Sequence, residues 1–425
     1  MANKGTQALL KSDVSVIRQI LDDDVSISVS TADVEGVRRL GLGVDYVLPT
    51  LVDIPYEVAD SYAKRFGLSR ASLRYKVCAL LSLLNMFIQM YLSLVSVALV
   101  NAGLKSFYRE EVVRCLKDSD VVLSCSDENF KETASLLPMN IYWLLTWWSM
   151  LTSKTWNILV AKLLGKPVVM LPNSVGPFRT AIGRTLSRVA LNNCLFVLIR
   201  DKPSYGIVQG LSVRSSKILT SDTALLFEGS NQRSGSKGRR IGVSPGLYGY
   251  SLSEKKIGEY VSAHAIALDR AVEVLDVSVV FLPHYVSGFR NDDLQISKAI
   301  YDEMEHRERA VVIDAASVEE FKSLISDVDL VVSSKMHPCV LASSSFVPSL
   351  CVAYDHKQTG FFASLGMDRD VIPLQSVTSE KLFGRILDLW SRKDERRLFL
   401  EKHIPSLKAQ VVRSISSALL TALKS

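Results

Sequence analysis

The sequence is poor in the residue patterns that mark metal sites, disulfide frameworks and nucleic acid binding. Its six cysteines are scattered through 425 residues, without a Cys-X-X-Cys pair or a histidine at a ligand spacing, so we interpret them as buried thiols. The net charge of +6 is too weak to indicate nucleic acid binding and fits an anionic small substrate or membrane surface. Reduced thiols without a signal peptide favour the cytoplasm. We therefore expect no metal and no nucleic acid partner.

The overall composition is not that of a disordered or low-complexity protein. Apolar residues make up 48% of the chain, which excludes a disordered protein, and 425 residues suit two domains with a core each. Short Val, Ile and Leu runs alternate with longer helical patterns, as is typical of parallel sheets built from βα units. The predicted strands are 25–30, 120–126, 167–172, 195–199 and 217–221, then 241–246, 277–283, 310–314, 329–334 and 350–354.

A segment rich in Gly, Ser and charge, GSNQRSGSKGRR at 229–240, separates the two groups of strands and is predicted to be a linker. It divides the chain into a first domain at 1–228 and a second at 241–378. Helical periodicity predicts one or two closing helices over 379–425. The predicted fold is α/β, with two doubly wound domains of Rossmann type facing a cleft.

Charge is absent from 28 consecutive residues, 77–104, and from a second stretch, 133–153. We interpret helices at about 70–110 and 133–156 as an apolar insertion in the first domain. The first run is long enough to cross a bilayer, but two crossings would separate the predicted strand 120–126 from its sheet. We therefore expect a cytoplasmic protein, peripheral or monotopic at the inner face of the membrane, whose insertion meets an anionic lipid surface. Alternatively, these helices pack on the domain's own core or in a dimer interface.

Polar residues cluster just after the predicted strands, where ligands bind in open α/β sheets. Lys335 and His337 precede Pro338, which suits the first position of a helix, so two cations and free helix amides predict an anion site. The alternative is a surface histidine at a helix cap. Arg200 follows a strand either as an ion-pair partner of Asp201 or as a fork for a planar anion.

The other strand-end clusters leave their roles open. Lys357 is either a substrate contact or a loop residue in solvent. Asp127 and Glu128 follow a predicted strand and supply either a general base or helix caps. His284 is either a ligand contact or a structural residue. The turn NSVGPF at 173–178 has amides free for an anion, which alone is a signal of low specificity.

These segments together resemble the polysaccharide pyruvyl transferases. The motifs that carry the resemblance are NKGTQALL (3–10), NSVGPF (173–178), IRDKPSYGIV (199–208), TSDTALLF (220–227), LPHYVSGFRNDD (282–293) and SSKMHPCVLASSSFVPSLCVAYDHKQTGFFASLG (333–366). The resemblance implies a GT-B-like fold and a transferase that moves the enolpyruvyl unit of phosphoenolpyruvate onto a sugar as a ketal, releasing phosphate. It implies no cofactor beyond phosphoenolpyruvate as co-substrate, and an acceptor on a cell-surface or lipid-linked glycan.

The resemblance also suggests residue roles. It implies that His337 is a phosphate ligand or general acid and that Asp127 is a candidate base. Lys335 stands where the family commonly has arginine. The predicted donor-site residues are Arg200, Lys335, His337 and Lys357; the predicted acceptor-site residues are Asn3, Asp127, Asn173 and His284.

The sequence departs from the family pattern at two further places. Thr6 replaces a common aspartate, and Cys125-Ser126 replaces a common pair of glycines. These departures motivate one alternative, a non-catalytic, membrane-associated relative that binds glycan. A second alternative is a GT-B glycosyltransferase that uses a nucleotide sugar, although the chain lacks the paired acidic motif often seen gripping a nucleotide ribose.

Overall fold

The computed structural model describes residues 3–68, 72–132, 141–229, 239–247, 253–288 and 292–425. Most of the predicted linker, and residues 133–140 of the predicted insertion, lie outside them. The strands are β1 (Ser28–Thr31), β2 (Tyr46–Pro49), β3 (Val122–Ser124), β4 (Asp127–Phe130), β5 (Val168–Val175), β6 (Phe196–Ile199), β7 (Ser216–Leu219), β8 (Arg240–Ser244), β9 (Ser278–Phe281), β10 (Ala310–Val312), β11 (Leu330–Ser333), β12 (Ser349–Ala353) and β13 (Val371–Pro373).

The α-helices follow the same order along the chain. They are α1 (Lys4–Leu21), α2 (Val34–Arg38), α3 (Pro55–Phe66), α4 (Leu73–Asn101), α5 (Glu110–Asp118), α6 (Ile141–Leu163), α7 (Ala181–Asn192), α8 (Lys202–Gly210), α9 (Glu254–Leu275), α10 (Asp293–Glu303), α11 (Val318–Ser326), α12 (Met336–Ser344), α13 (His356–Ser364), α14 (Ser379–Ser391) and α15 (Lys393–Ala422).

Strands β8 to β13 form a six-stranded parallel sheet in the order β10-β9-β8-β11-β12-β13, the centre of what we call the C-terminal lobe. Helices α9, α10 and α14 cover one face, and α11, α12 and α13 cover the other. The strands are runs of Val, Leu and Ile because both faces of the sheet are buried.

Strands β3 to β7 form the five-stranded parallel sheet of the N-terminal lobe, with β3 and β4 lying end to end along β5. Helices α6, α7 and α8 pack on one face, while α1 and α15 pack on the other. Two doubly wound parallel sheets confirm the predicted fold class.

Each of the ten predicted strand segments contains a strand. The strand predicted at 25–30 is β1, but it pairs with β2 in a separate two-stranded sheet rather than with the five-stranded sheet. The pattern did not predict β2, β4 or β13. The strand predicted to end at residue 172 continues as β5 to Val175, because β4 supplies a partner for its last residues.

Helices α4 and α6 form the apolar insertion. One face of α4 packs through Met86, Val97 and Val100 into a small core that includes Val160 of α6. The opposite face exposes Leu73, Val77, Leu80, Leu81, Leu84, Phe87, Ile88, Tyr91 and Leu94. Within the described ranges, α4 is the one helix whose length and composition would allow it to cross a membrane. The insertion therefore packs partly on the protein's own core and leaves one long apolar face uncovered.

Helix α15 connects the two lobes. Leu400 and Ile404 lie in the core of the C-terminal lobe, against α12 and α13. Val411 and Ile415 lie against the sheet of the N-terminal lobe, in contact with its buried strand residues. Helix α1 spans the lobes in the same way, so the cleft between the two sheets is closed along one side.

Candidate functional site

The first element of the site is the N-terminus of α12. The helix begins at Met336 and is capped by Lys335, so the predicted start at Pro338 was wrong by two residues. Pro338 is tolerated there because amides of the first helical turn have no intrahelical partner. The Lys335 ammonium lies 3.2 Å from the carboxylate of Asp293, and both side chains are buried. Burial lowers the pKa of Lys335, against the opposing effect of Asp293.

The His337 ring lies against the first turn of α1. A Cβ atom added to Gly5 would come 2.2 Å from His337 Nδ1, so only glycine allows this approach. His337 Nε2 is buried and has no hydrogen-bond partner among the described residues. Burial lowers the pKa of His337, while the carboxylate of Asp222 opposes that shift. The ring is therefore expected to be neutral in the unliganded protein.

His284 stacks on His337, with ring centroids 6.0 Å apart and planes inclined by 21°. Both of its ring nitrogens are buried without a hydrogen-bond partner among the described residues. Burial lowers the pKa of His284 far below its usual range, and the neighbouring cationic side chains add to the shift. The structure thus stacks two buried imidazoles at the end of the C-terminal sheet, and His284 lies outside the lining of the cavity described below.

Arg200 reaches the same region from the end of β6. Its Nη1 donates to Asp222 Oδ2 and its Nε donates to Ser174 Oγ, each at 2.8 Å. The Nη2 group is buried and has no partner among the described residues. Burial would lower the pKa of Arg200, but Asp222 and nearby carboxylates outweigh it and raise the pKa. Asp201 caps α8 instead, so the alternative in which Arg200 pairs with Asp201 is not the one observed: its ion-pair partner is Asp222.

Lys357, in the first turn of α13, crosses the cleft to Glu128 of β4. Glu128 also accepts an ion pair from Lys131 at 2.6 Å. Burial would lower the pKa of Lys357, but Glu128 and Asp355 outweigh it and raise the pKa. Lys357, which the sequence analysis assigned to the donor site, is therefore ion-paired with Glu128, and this pair links the two lobes.

Asp127 follows β3, as predicted, and is also the first residue of a short strand that was not predicted, β4. The strand is interrupted between β3 and β4, where Ser126 bonds to Asp13 of α1 instead of to a neighbouring strand. The Asp13 carboxylate accepts from the Ser126 backbone N–H at 2.8 Å and from its hydroxyl at 2.7 Å. After this interruption, Asp127 lines a cavity of about 910 Å³ in the N-terminal lobe. Cys125 and Ser126, which replace the expected glycines, also line it.

The remaining predicted acceptor residues differ in their position. Asn3 lines the cavity and caps α1, since its Oδ1 accepts from the backbone N–H groups of Gly5 and Thr6. The Asn173 side chain donates to two backbone carbonyls and accepts from Asn129 N, so it is engaged within the sheet. Asn173 and His284 are not among the cavity's lining residues.

Several residues at the site were missed by sequence reasoning. Lys4 is buried and binds Asp314 and the carbonyl of Pro283, each at 3.2 Å. Lys154 of α6 lines the cavity next to Asp127. Gly5 was visible in the motif NKGTQALL, but its contact with His337 joins residues more than 300 positions apart, which no local pattern indicates. Across the part of the chain that the structure describes, no group of three or more His, Cys, Asp or Glu side chains could hold a metal ion.

Most of the chain matches one known protein family. The family model described as polysaccharide pyruvyl transferase matches residues 38–356. The chain belongs to the polysaccharide pyruvyl transferase family. This membership confirms the resemblance.

The chain is similar to the amylovoran biosynthesis protein AmsJ of Erwinia amylovora, with 20% identity over 255 residues. The match covers 54% of this chain, and the chain spans 59% of the length of AmsJ.

Solved structures with the same fold are UDP-GlcNAc 2-epimerases. That of Neisseria meningitidis, bound to UDP-GlcNAc, has a TM-score of 0.60 and 12% identity, covering 99% of this chain and 98% of its own. That of Methanocaldococcus jannaschii has a TM-score of 0.53 and 11% identity, covering 89% and 88%. At this identity the likeness shows the fold alone, which is GT-B-like, as the family resemblance implied.

Proposed function

We propose that this protein transfers the enolpyruvyl unit of phosphoenolpyruvate to a sugar of a cell-surface or lipid-linked glycan. The observation that carries the proposal is the group of buried donors with unmet capacity at the ends of the two sheets. Arg200 Nη2 and His337 Nε2 have no hydrogen-bond partner among the described residues, and Lys335 precedes His337 at the N-terminus of α12. Buried polar groups without partners are costly, so their presence favours a ligand that supplies acceptors.

Phosphoenolpyruvate has the required chemistry. It carries a phosphate and a carboxylate, and these anions suit a guanidinium, an ammonium and the free amides at the start of α12. Since Nε and Nη1 of Arg200 are held by Ser174 and Asp222, Nη2 is the guanidinium nitrogen left to donate to an oxygen of the bound anion. In this assignment Lys335 supplies a single positive charge at a position where the family commonly has arginine.

The proposed reaction conserves its protons and electron pairs. The methylene carbon of the donor takes up one proton, the first sugar hydroxyl adds to the adjacent carbon, and the second hydroxyl displaces phosphate to close the ketal. Two hydroxyl protons are released; one balances the methyl group and the other leaves on the phosphate. No cofactor is needed beyond phosphoenolpyruvate.

His337 and Asp127 have the proposed proton-transfer roles. Burial keeps His337 neutral, but a bound anionic donor would favour the imidazolium and raise its pKa toward that of a working general acid. Asp127 faces the cavity that would hold the sugar, and it has no hydrogen bond or ion pair within the described residues. A carboxylate in that position can accept a proton from an attacking hydroxyl.

The test measures phosphate release from phosphoenolpyruvate with a panel of glycan acceptors, followed by mass analysis of the acceptor. We expect phosphate release to be coupled to the appearance of a carboxyethylidene group on the sugar, which mild acid should remove because it is a ketal. His337→Ala should abolish turnover and keep the fold, while His403→Ala, at an exposed position of α15, serves as the matched control. Thermal stabilisation by nucleotide sugars but not by phosphoenolpyruvate would refute the proposed donor.

We also propose that the exposed face of α4 contacts the inner leaflet of the membrane. Its nine exposed apolar side chains form one stripe along the helix, and apolar patches of this kind mark membrane or protein contacts. Lys76 and Lys105 at the two ends of the uncharged run suit anionic headgroups.

Sedimentation with anionic and with neutral liposomes tests this surface. We expect the protein to bind anionic vesicles and Leu81→Glu/Ile88→Glu to abolish binding. Leu398→Glu, which changes an exposed leucine of α15, is the matched control. Equal recovery of wild type and double variant with the vesicles would contradict the proposal, as would recovery of wild type in the supernatant.

A further inference from the structure

His284 is held in place by contacts that leave both of its imidazole nitrogens unused. Its backbone carbonyl accepts from the N–H of Lys4 at 3.4 Å. Its ring packs on the rings of His337 and Phe321, with centroids 6.0 Å and 5.7 Å away. The residue is 3% exposed, and neither ring nitrogen has a hydrogen-bond partner among the described residues.

A purely structural role does not explain a histidine at this position. Phenylalanine or leucine would fill the same space without burying two polar nitrogens, and buried polar atoms without partners are costly. A ligand that supplies the missing partners removes this cost. His284 also lies just beyond Phe281, where β9 ends, and ligands bind at this edge of the sheet in open α/β folds.

The two stacked imidazoles have different electrostatic surroundings. Burial lowers the pKa of His284, and the charged groups that act most strongly on it lower the pKa further. These groups are His337, Lys335, Lys4 and Lys357. Burial also lowers the pKa of His337, but there the carboxylates of Asp222 and Asp127 oppose the shift. His284 is therefore the ring that stays neutral and donates through an N–H group, while His337 is the ring that can carry a proton.

The lysines near His284 do not form an unpaired cluster of positive charge. Each one has a carboxylate partner in the structure; the pairs are Lys4–Asp314, Lys335–Asp293 and Lys357–Glu128. His284 differs from them because its hydrogen-bonding capacity is unused. An oxygen acceptor on a ligand is what this ring lacks.

We propose that His284 is a further donor-site residue, which donates a hydrogen bond to the carboxylate of phosphoenolpyruvate while Arg200 and His337 hold its phosphate. The proposal rests on the proposed function in naming the donor, whereas the contact itself concerns binding alone. Phosphoenolpyruvate carries both anionic groups on one carbon atom, so one small molecule can reach two rings whose centroids are 6.0 Å apart. His284 then selects a molecule with a carboxylate beside its phosphate over inorganic phosphate.

Calorimetric titration with non-reactive anions tests this role in the absence of an acceptor. The probes are phosphoglycolate, which has a phosphate and a carboxylate on one carbon atom, and inorganic phosphate, which has no carboxylate. We expect the wild type to bind phosphoglycolate about tenfold or more tightly than inorganic phosphate. Equal affinity for the two probes, or no binding of phosphoglycolate, would overturn the proposal.

Two variants of His284 separate hydrogen bonding from packing. His284→Phe keeps a ring against His337 and Phe321 but has no donor, whereas His284→Gln loses the ring and keeps an amide donor. We expect His284→Phe to lose the preference for phosphoglycolate and His284→Gln to retain part of it. A histidine that serves only to pack predicts the reverse order, and that order would contradict the proposal. His403→Phe, at an exposed position of α15, is the matched control and should bind both probes like the wild type.

NMR of isotope-labelled histidine side chains gives a second readout. With phosphoglycolate bound, we expect the signals of a neutral ring from His284 and those of an imidazolium from His337. An imidazolium at His284 would contradict the assignment of roles. Because no acceptor is present, failure of pyruvyl transfer would leave these results intact. Conversely, pyruvyl transfer with an unchanged KM for phosphoenolpyruvate in His284→Phe would refute the role of His284 and leave the proposed function standing.

Discussion

Gly5 supports the site through the space it leaves empty. The first turn of α1 approaches His337 so closely that a Cβ at this position would meet the imidazole ring. We therefore expect Gly5→Ala to displace the ring and to lower the rate of phosphate release strongly, with a loss of about 1–3 kcal/mol in the free energy of unfolding. Gly258→Ala in α9 is the control, since nothing lies within 4 Å of the added atom.

Steady-state kinetics and thermal unfolding of both variants check this expectation. Activity of Gly5→Ala equal to that of Gly258→Ala would show that the close approach does not matter for His337. The same measurement separates a local effect from unfolding, because the control helix is also buried against its own lobe.

Asp13 gives a prediction on pH. Burial raises the pKa of Asp13 to about 7, although its hydrogen bonds with Ser126 favour the carboxylate. The charged groups that face it are the carboxylates of Asp127 and Asp222, the latter paired with Arg200. The folded state holds a proton there that the unfolded chain releases near pH 3.8, so stability falls as pH rises from about 4 through 7.

Asp13→Asn removes this titration and keeps the contacts, since an amide can accept from the Ser126 N–H and donate to its hydroxyl. We expect the stability of the variant relative to wild type to increase between pH 5 and pH 8 by at most about 3 kcal/mol. Urea unfolding at both pH values measures the difference. The same relative stability at both values would contradict a buried carboxyl with a raised pKa.

Residue contacts were the least predictable level of the site. The anion-site candidates Arg200, Lys335 and His337 could be chosen from sequence because each follows a strand of a parallel sheet. Their partners could not, since Asp222, Asp293 and Gly5 come from other parts of the chain and are brought together only by tertiary packing. The paired state of Lys357 is the clearest example, because Glu128 reaches it from the opposite lobe.

At the scale of elements, apolar strands were predictable and polar ones were not. Runs such as Leu330–Ser333 are buried on both faces and therefore carry a strong signal. Strand β4 has the sequence DENF, and β2 ends in proline, so neither matches the composition of a typical strand. Both exist because a neighbouring strand supplies hydrogen bonds at that position.

Asp53 fixes the position of the apolar helix α4. Its carboxylate accepts from Gln89 Nε2 at 2.8 Å and from Arg109 Nη2 at 2.7 Å, and its N–H donates to Gln89 Oε1. Asp53→Ala leaves the buried Gln89 amide without its main partner. We expect a loss of about 1–3 kcal/mol in unfolding free energy, measured by thermal unfolding.

The exposed Asp23→Ala is the comparison for that change, because it follows the end of α1 and removes a carboxylate from solvent. If Asp53→Ala unfolds at the same temperature as Asp23→Ala, the contact with Gln89 does not anchor α4. If Asp53→Ala loses both stability and liposome binding, then membrane binding by the apolar face of α4 depends on this contact.

At the scale of the whole molecule, the last helix joins the two lobes. Val411, Ile415 and Leu419 are buried, the first two against the N-terminal sheet. Truncation after Leu407 should therefore cost about 5 kcal/mol or more and expose apolar sheet surface. Truncation after Ala422 removes three residues that follow the packed region and should have little effect. Soluble yield and dye binding to exposed apolar surface compare the two; equal behaviour would exclude this role for α15.

The return of α15 to the N-terminal sheet has a consequence for synthesis on the ribosome. The strands of that sheet are made before the C-terminal lobe, but α15, which covers one of their faces, leaves the exit tunnel after it. Domains usually complete folding in order from the N-terminus during synthesis. Here Val169 and Leu198 lack their contacts with α15 until that helix has been made. The nascent protein must therefore keep an apolar sheet face from aggregating while the whole C-terminal lobe is translated.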